Sequence, residues 1–195
     1  MDNHMDISNL EWETNSDLWE VDRDSSGKIF RLQGNTMVDV VGGKVLIFKI
    51  LLGNYRMRAE VCFLGHHLPE GTGGWFGFVM RAKDKDNYEL VWFMPFAESG
   101  KSAAYLSVAH GIVPWWTEAY NTQEKLGPGF QPGEWFEVEI SVVGDEFTLF
   151  MKGERIYRKK LTYYLSEGYP GFYVGTATDA SFRNLELVEF NQGNQ

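Results

Sequence analysis

The chain has 195 residues, 44% of them hydrophobic and 15% aromatic, and carries a formal net charge of −9. That length suits a single domain with a sizeable core, and the composition excludes a disordered chain. The acidic balance repels phosphate backbones and anionic lipid surfaces, so neither nucleic acid nor a membrane is an expected partner.

Residues 1 to 16 are polar and acidic and are read as an arm or a first edge strand, ahead of a domain over 17–195. They lack a basic start followed by an apolar run, and no apolar stretch in the chain is long enough to cross a bilayer. Cytoplasmic residence is therefore the expectation. Asp17 to Arg23, Lys28 to Leu32, Thr36 to Val41 and Val45 to Lys49 are short β-rich runs, separated by Ser-Ser-Gly, Gln-Gly-Asn and Gly-Gly turn chemistry. Asn54 to Phe63 alternates without a fault: Tyr55, Met57, Ala59, Val61 and Phe63 on one side, Arg56, Arg58, Glu60 and Cys62 on the other. It reads as a half-buried strand with a charged outer face. Cys62 is the sole cysteine, so no internal disulfide forms.

Leu64 to Gly73 reads as a loop. Gly74 to Pro95 then reads as a β-hairpin, with two apolar runs around a charged turn of about four or five residues. Pairing Arg81 with Glu89 puts Phe76, Phe78, Met80, Tyr88, Leu90, Trp92 and Met94 on a core face. Trp75, Gly77, Val79, Arg81, Glu89, Val91 and Phe93 then form the floor of a cleft. Ser102 to His110 alternates again, with Tyr105 on the face opposite Ala104 and Leu106. Residues 111 to 133 lose all periodicity. A connection so long inside a compact domain usually carries function, and this one holds Trp115, Trp116, Glu118 and Tyr120.

The last third is regular once more. Trp135 to Val143, Phe147 to Met151, Arg155 to Leu161, Gly171 to Gly175 and Ser181 to Phe190 read as strands joined by short turns. About a dozen strands at short, even spacing, with no 3.6-residue periodicity, predict an all-β sandwich or barrel.

Three segments together resemble the concanavalin A-like jelly-roll superfamily in its laminin-G-like branch. GWFGFVMRAKDKDNYELVWF resembles its strand, acidic turn and strand; WFEVEISVVGDEFTLFMKGERI resembles its late meander; and GYPGFYVGTATDASFRNLEL resembles its closing pair. The resemblance covers about residues 25 to 190 and implies a two-sheet antiparallel jelly roll with one concave face. Within the superfamily the chain is most similar to the 3-keto-disaccharide hydrolase-like family, whose site is expected among polar residues of the concave sheet. That resemblance implies roles for Arg81 and Glu89. Gly73-Gly74-Trp75 stands where such proteins often show Asn-Ser-Gly, and the Glu-x-Asp-x-x-Glu strand of the glucanase branch is missing.

On such a face Arg81 and Glu89 would meet Arg58 and Glu60, where an Arg-held carboxylate orients a hydroxyl or acts as acid or base. The alternative is a cross-strand ion pair that closes a polar face. Glu89, Arg81, Glu60 and His110 are the candidate catalytic residues. Trp75, Phe93, Tyr105, Trp115, Trp116, Glu118, Tyr120 and Arg58 are the candidate ligand contacts, since aromatic faces stack on pyranose rings or cover apolar ligands. His66 and His67 are neighbours that point apart in an extended segment and are expected to be loop residues. Asp84, Asp86 and Asn87 offer oxygens in the manner calcium takes, but a solvated turn without metal or cofactor is the expectation. Three functions stay open: a glycoside-processing hydrolase or lyase, a non-catalytic carbohydrate-binding module, and an intracellular enzyme acting on an apolar small molecule in an aromatic-lined pocket. The expected partner is thus a saccharide or another small molecule.

Overall fold

A computed structural model describes residues 2–25, 27–36, 43–67, 74–94, 102–114, 124–125, 131–163 and 165–190. Its strands, in chain order, are β1 (Asp2–His4), β2 (Trp12–Thr14), β3 (Trp19–Asp24), β4 (Gly27–Leu32), β5 (Lys44–Phe48), β6 (Tyr55–His66), β7 (Phe76–Asp84) and β8 (Asn87–Met94). They continue as β9 (Ser102–Val108), β10 (Glu124–Lys125), β11 (Trp135–Val143), β12 (Glu146–Met151), β13 (Glu154–Lys160), β14 (Tyr169–Val174) and β15 (Thr178–Phe190). Among the described residues there is no helix.

Two antiparallel sheets face each other, as the two-sheet jelly-roll expectation requires. The eight-stranded sheet runs β13-β12-β11-β6-β15-β4-β3, with β1 also pairing β15. The seven-stranded sheet runs β10-β9-β8-β7-β14-β5-β2. The first sixteen residues thus contribute one short strand to each sheet, β1 against Val188 to Phe190 and β2 against Leu46 to Phe48. Of the expected run Thr36 to Val41, all but Thr36 lies outside the described residues.

The alternation legible in β6 and β11 is what builds the core. Tyr55, Met57, Ala59, Val61, Phe136, Val138, Ile140 and Val142 all point inward and are buried. Opposite them the seven-stranded sheet sends in Phe48, Phe76, Phe78, Phe93 and Phe172. Phe172 lies on Phe182 with ring centroids 4.2 Å apart and 14° between planes, one ring from each sheet. Such a pair adds about 0.5–1.5 kcal/mol to the burial of its area. Gly77 is required where β7 passes β8, because a Cβ there would stand 2.0 Å from the Val91 carbonyl oxygen.

The central hairpin departs from the expected register. Its turn has two residues, Lys85 and Asp86, closed by the Asp84 carboxylate accepting from the Asp86 N–H and from Asn87 Nδ2. An even loop flips the parity of pairing, so Glu89 stands opposite Met80 and not Arg81. Val91 and Phe93 therefore face the core with Glu89, whereas Tyr88, Leu90, Trp92 and Met94 face outward. A bulge between Met80 and Asp84 then brings Arg81, with φ of 47°, back toward the interior. The expected polar cleft floor does not form on this ribbon.

The outer face of the seven-stranded sheet is instead a second apolar layer. Val45, Ile47, Val79, Leu90, Trp92, Ala104, Leu106 and Tyr173 are all buried there, with Trp75 and Tyr169 half-buried against them. It is a buried layer with no charged side chain among these members.

Candidate functional site

The expected site residues separate into an interior set and an open set. The interior set is Arg81, Glu89 and Tyr105, at one end of the space between the sheets. Glu89 is 2% exposed and Arg81 1%. A carboxylate so deep must be satisfied by donors, and three converge on it. Tyr105 Oη donates at 2.7 Å, Ser107 Oγ donates to the same oxygen, and the Tyr163 N–H donates to the other at 2.7 Å. Tyr105 also accepts from the Thr162 N–H, and its ring packs on Phe147 of the opposite sheet at 5.2 Å. Burial, and next the Glu89 charge, push the Tyr105 phenol up to about 12.

Arg81 completes this set by donating to the Leu165 and Gly144 carbonyls. The segment from Leu161 to Gly168 is thus tied across the sandwich end by side chains of β7, β8 and β9, and a Leu52–Gly168 bridge closes it. Gly168 is needed here, since a Cβ would stand 2.5 Å from the Arg81 backbone. Of the three donors to Glu89, the Tyr163 N–H belongs to this strap and the Tyr105 and Ser107 hydroxyls belong to β9, so both carboxylate oxygens are engaged in fastening the segment to the sheet.

The open set contains Arg58 and Glu60. Both project from the outer face of β6, which runs between β11 and β15 in the eight-stranded sheet. Register places Glu137 opposite Glu60, and Glu139 opposite Arg58, on β11; Arg183 and Glu186 lie opposite the same two residues on β15. Between Arg183 and Glu186 the register of β15 shifts at a bulge, where Asn184 adopts φ of 52°. The bulge adds Asn184 to the rim, and a groove of about 360 Å³ results, lined by Arg58, Ala59, Glu60, Glu137, Asn184, Leu185 and Glu186.

The groove's polar groups are fixed by one another. Arg58 Nη2 donates to both oxygens of Glu186 at 2.7 Å, and its Nη1 lies 3.5 Å from Glu137. Arg183 Nε and Asn184 Nδ2 both donate to Glu60 Oε2, at 2.7 and 2.8 Å. The Arg183 guanidinium also lies over the Trp135 ring, 4.1 Å from its centroid. Glu186 is the main reason that Arg58 holds its proton more firmly than an ordinary arginine. Burial pushes Glu139 above the usual carboxylate range, against the opposing pull of Arg56 and Arg58.

Exposed pairs of this kind contribute at most about 1 kcal/mol each to folding. Their consequence here is positional, because they hold a fixed array of oxygens and guanidinium nitrogens at an open surface. Such an array, beside an indole, can hydrogen-bond a hydroxylated ligand at several points.

The remaining expected residues lie elsewhere. Phe93 is in the inter-sheet core, and Trp75 packs on the outer apolar layer, at the opposite end of β7 from Arg81. His110, with φ of 55°, turns the chain after β9, and its N–H donates to Asn87 Oδ1. Trp115, Trp116, Glu118 and Tyr120 lie outside the described residues. His67 Nε2 lies 3.2 Å from Asp179. Among the described residues no group of three or more His, Cys, Asp or Glu could hold a metal ion. Glu137, Asn184 and Glu186 were missed in the sequence reading. The signal for the first was present, because Glu137 and Glu139 alternate with inward Phe136, Val138 and Ile140 as Arg58 and Glu60 alternate on β6.

No family model matches the chain, and no curated protein matches its sequence. Solved structures resemble it in fold. Carbohydrate-binding module CBM66 from Bacillus subtilis is 15% identical with a TM-score of 0.63, over 92% of this chain and 96% of that one. The Emp47p carbohydrate recognition domain is 12% identical with a TM-score of 0.59, over 96% of this chain and all of that one. Peanut lectin is 8% identical with a TM-score of 0.58, over 99% of each chain. The protein thus shares the all-β, two-sheet jelly-roll sandwich of these structures.

Proposed function

We propose that the protein is a carbohydrate-binding sandwich that takes a saccharide into the groove over β6, β11 and β15. The observation that carries this reading is the convergence of Arg58, Glu60, Glu137, Asn184 and Glu186 on one open depression, with Trp135 beside it. Sugar hydroxyls are paired donors and acceptors, and planar carboxylate, amide and guanidinium groups match them two at a time. Likeness in fold to a carbohydrate-binding module, a carbohydrate recognition domain and a lectin supports the ligand class. Binding without turnover is favoured over catalysis, because Glu89, the expected acid or base, is enclosed by three donors.

Calorimetric titration against a panel of neutral, amino and acidic oligosaccharides tests this. At least one saccharide binds, and Asn184→Ala or Arg58→Ala weakens it by about tenfold or more, a change of about 1.4 kcal/mol. Affinity for a saccharide that neither substitution alters would place its site elsewhere.

One observation favours a second reading, glycoside processing. Glu60 and Glu137 are direct cross-strand partners on one open face. Most glycosidases work with a pair of carboxyl groups at one site. Hydrolysis of a bound oligosaccharide that disappears in Glu137→Gln, while binding persists, would establish it.

A further inference from the structure

We infer that the groove is selective for amino sugars, whose protonated amine it takes between Glu60 and Glu137, and that it rejects uronic and sulfated sugars. This rests on the saccharide reading of the groove and adds to it the charge of the ligand.

Arg58 is occupied by Glu186 and faces Glu137; Arg183 is occupied by Glu60 and lies on Trp135; Arg56 Nε stands 3.8 Å from Glu139. Each of these three guanidiniums therefore has a carboxylate of the protein for a partner. An incoming carboxylate or sulfate would have to displace one, and would face the others uncompensated.

The acceptors are differently placed. Glu60 receives both of its donors on Oε2, which leaves Oε1 without a donor among the described residues. Glu137 meets Arg58 through Oε2 at 3.5 Å, a distance too long for a strong hydrogen bond. Asn184 spends its Nδ2 on Glu60, so its Oδ1 remains to accept. Glu60 is 34% exposed and Glu137 45%, so both can be reached from solvent.

Register adds the sign. Glu60 and Glu137 are like charges directly opposite one another, an arrangement that disfavours a further anion between them and favours a cation. Four glutamates, at 60, 137, 139 and 186, face three arginines, at 56, 58 and 183, within a chain of net charge −9. An ammonium carries three donors and no acceptor, which complements the acceptors left over. Hydroxyls of the same sugar can meet Asn184 Oδ1, and its ring can lie along the Trp135 side of the groove.

The test is titration of the full chain, at a pH where the sugar amine is protonated, with four oligosaccharides of equal length. These are a fully deacetylated glucosamine oligomer, its N-acetylated counterpart, a neutral glucose oligomer and an oligogalacturonate. Spermine serves as a cation without a sugar. The expected result is binding of the deacetylated oligomer at least about tenfold tighter than the acetylated and neutral ones. Oligogalacturonate gives no binding, spermine binds more weakly than the deacetylated oligomer, and Glu60→Gln or Glu137→Gln removes most of the preference. Equal affinity for the acetylated and deacetylated oligomers would overturn the charge selectivity and leave the saccharide reading standing. Spermine binding as tightly as the deacetylated oligomer, with no affinity for the uncharged sugars, would overturn the saccharide reading itself. A preference unchanged in both glutamine variants would overturn the assignment of the amine to this pair.

Discussion

The Tyr105 hydroxyl donates to Glu89 at 2.7 Å in the closed space between two sheets, and the same hydroxyl accepts from the backbone of Thr162. A side chain of the seven-stranded sheet thereby fastens the segment after β13 through one oxygen. Tyr105→Phe removes both bonds and strands the Thr162 N–H, so a loss of about 1–3 kcal/mol is expected. Glu89→Ala removes the acceptor of three donors, and each donor left unsatisfied in a buried site costs about 1–3 kcal/mol. Urea denaturation checks both, and Glu89→Ala is the more damaging.

The strap also depends on one close approach. Gly168→Ala sets a Cβ 2.5 Å from the Arg81 backbone, and overpacking of this kind costs about 1–3 kcal/mol. Gly53→Ala meets only the Ser166 carbonyl, at an ordinary 3.5 Å, and should stay within about 0.5 kcal/mol of the wild type. Thermal melts of the two variants, side by side, separate local crowding from a general intolerance of the region.

Alkaline pH acts on the same network. Burial raises Tyr55, Tyr88, Tyr105 and Tyr173, with Tyr105 pushed up to about 12 against an ordinary value of 10. A phenol whose folded value exceeds its unfolded value contributes stability fully present below the unfolded value. That contribution is lost as pH rises through the folded value, here between about 10 and 12 for Tyr105. Stability measured across this window should fall, and fall less steeply in Tyr105→Phe.

Glu139 gives a second experiment of the same sign, starting from the carboxylate range. Burial raises its carboxyl, so ionisation is disfavoured in the folded chain and the wild type loses stability as pH climbs through the folded value. Glu139→Gln is therefore expected to be the more stable at pH 7, by less than about 1 kcal/mol, and to match the wild type in acid, below the unfolded range. Denaturation midpoints at the two pH values measure the difference.

The fold was legible because period-2 alternation is a local property. β6 and β11 could be read residue by residue, and Phe136, Val138 and Ile140 do face the core. Register was less legible. The hairpin turn Lys85–Asp86 contains no glycine to mark it as a two-residue loop, and its even length reverses the face of every residue on β8. For that reason Glu89, expected in a cleft, lies in the interior, and the bulge in β7 brings Arg81 there as well. The groove was half legible: the charge on Arg58 and Glu60 is in the sequence of β6. That β11 and β15 flank it, and that a bulge presents Asn184, are consequences of long-range pairing that no short stretch encodes.

The saccharide reading puts the ligand over β6, β11 and β15. Amide chemical shifts recorded while the protein is titrated with its tightest-binding oligosaccharide test this most directly. The largest changes are expected on Arg58, Glu60, Glu137, Asn184 and Glu186. Changes confined to the seven-stranded sheet or to the strap, with these five amides unmoved, would contradict it.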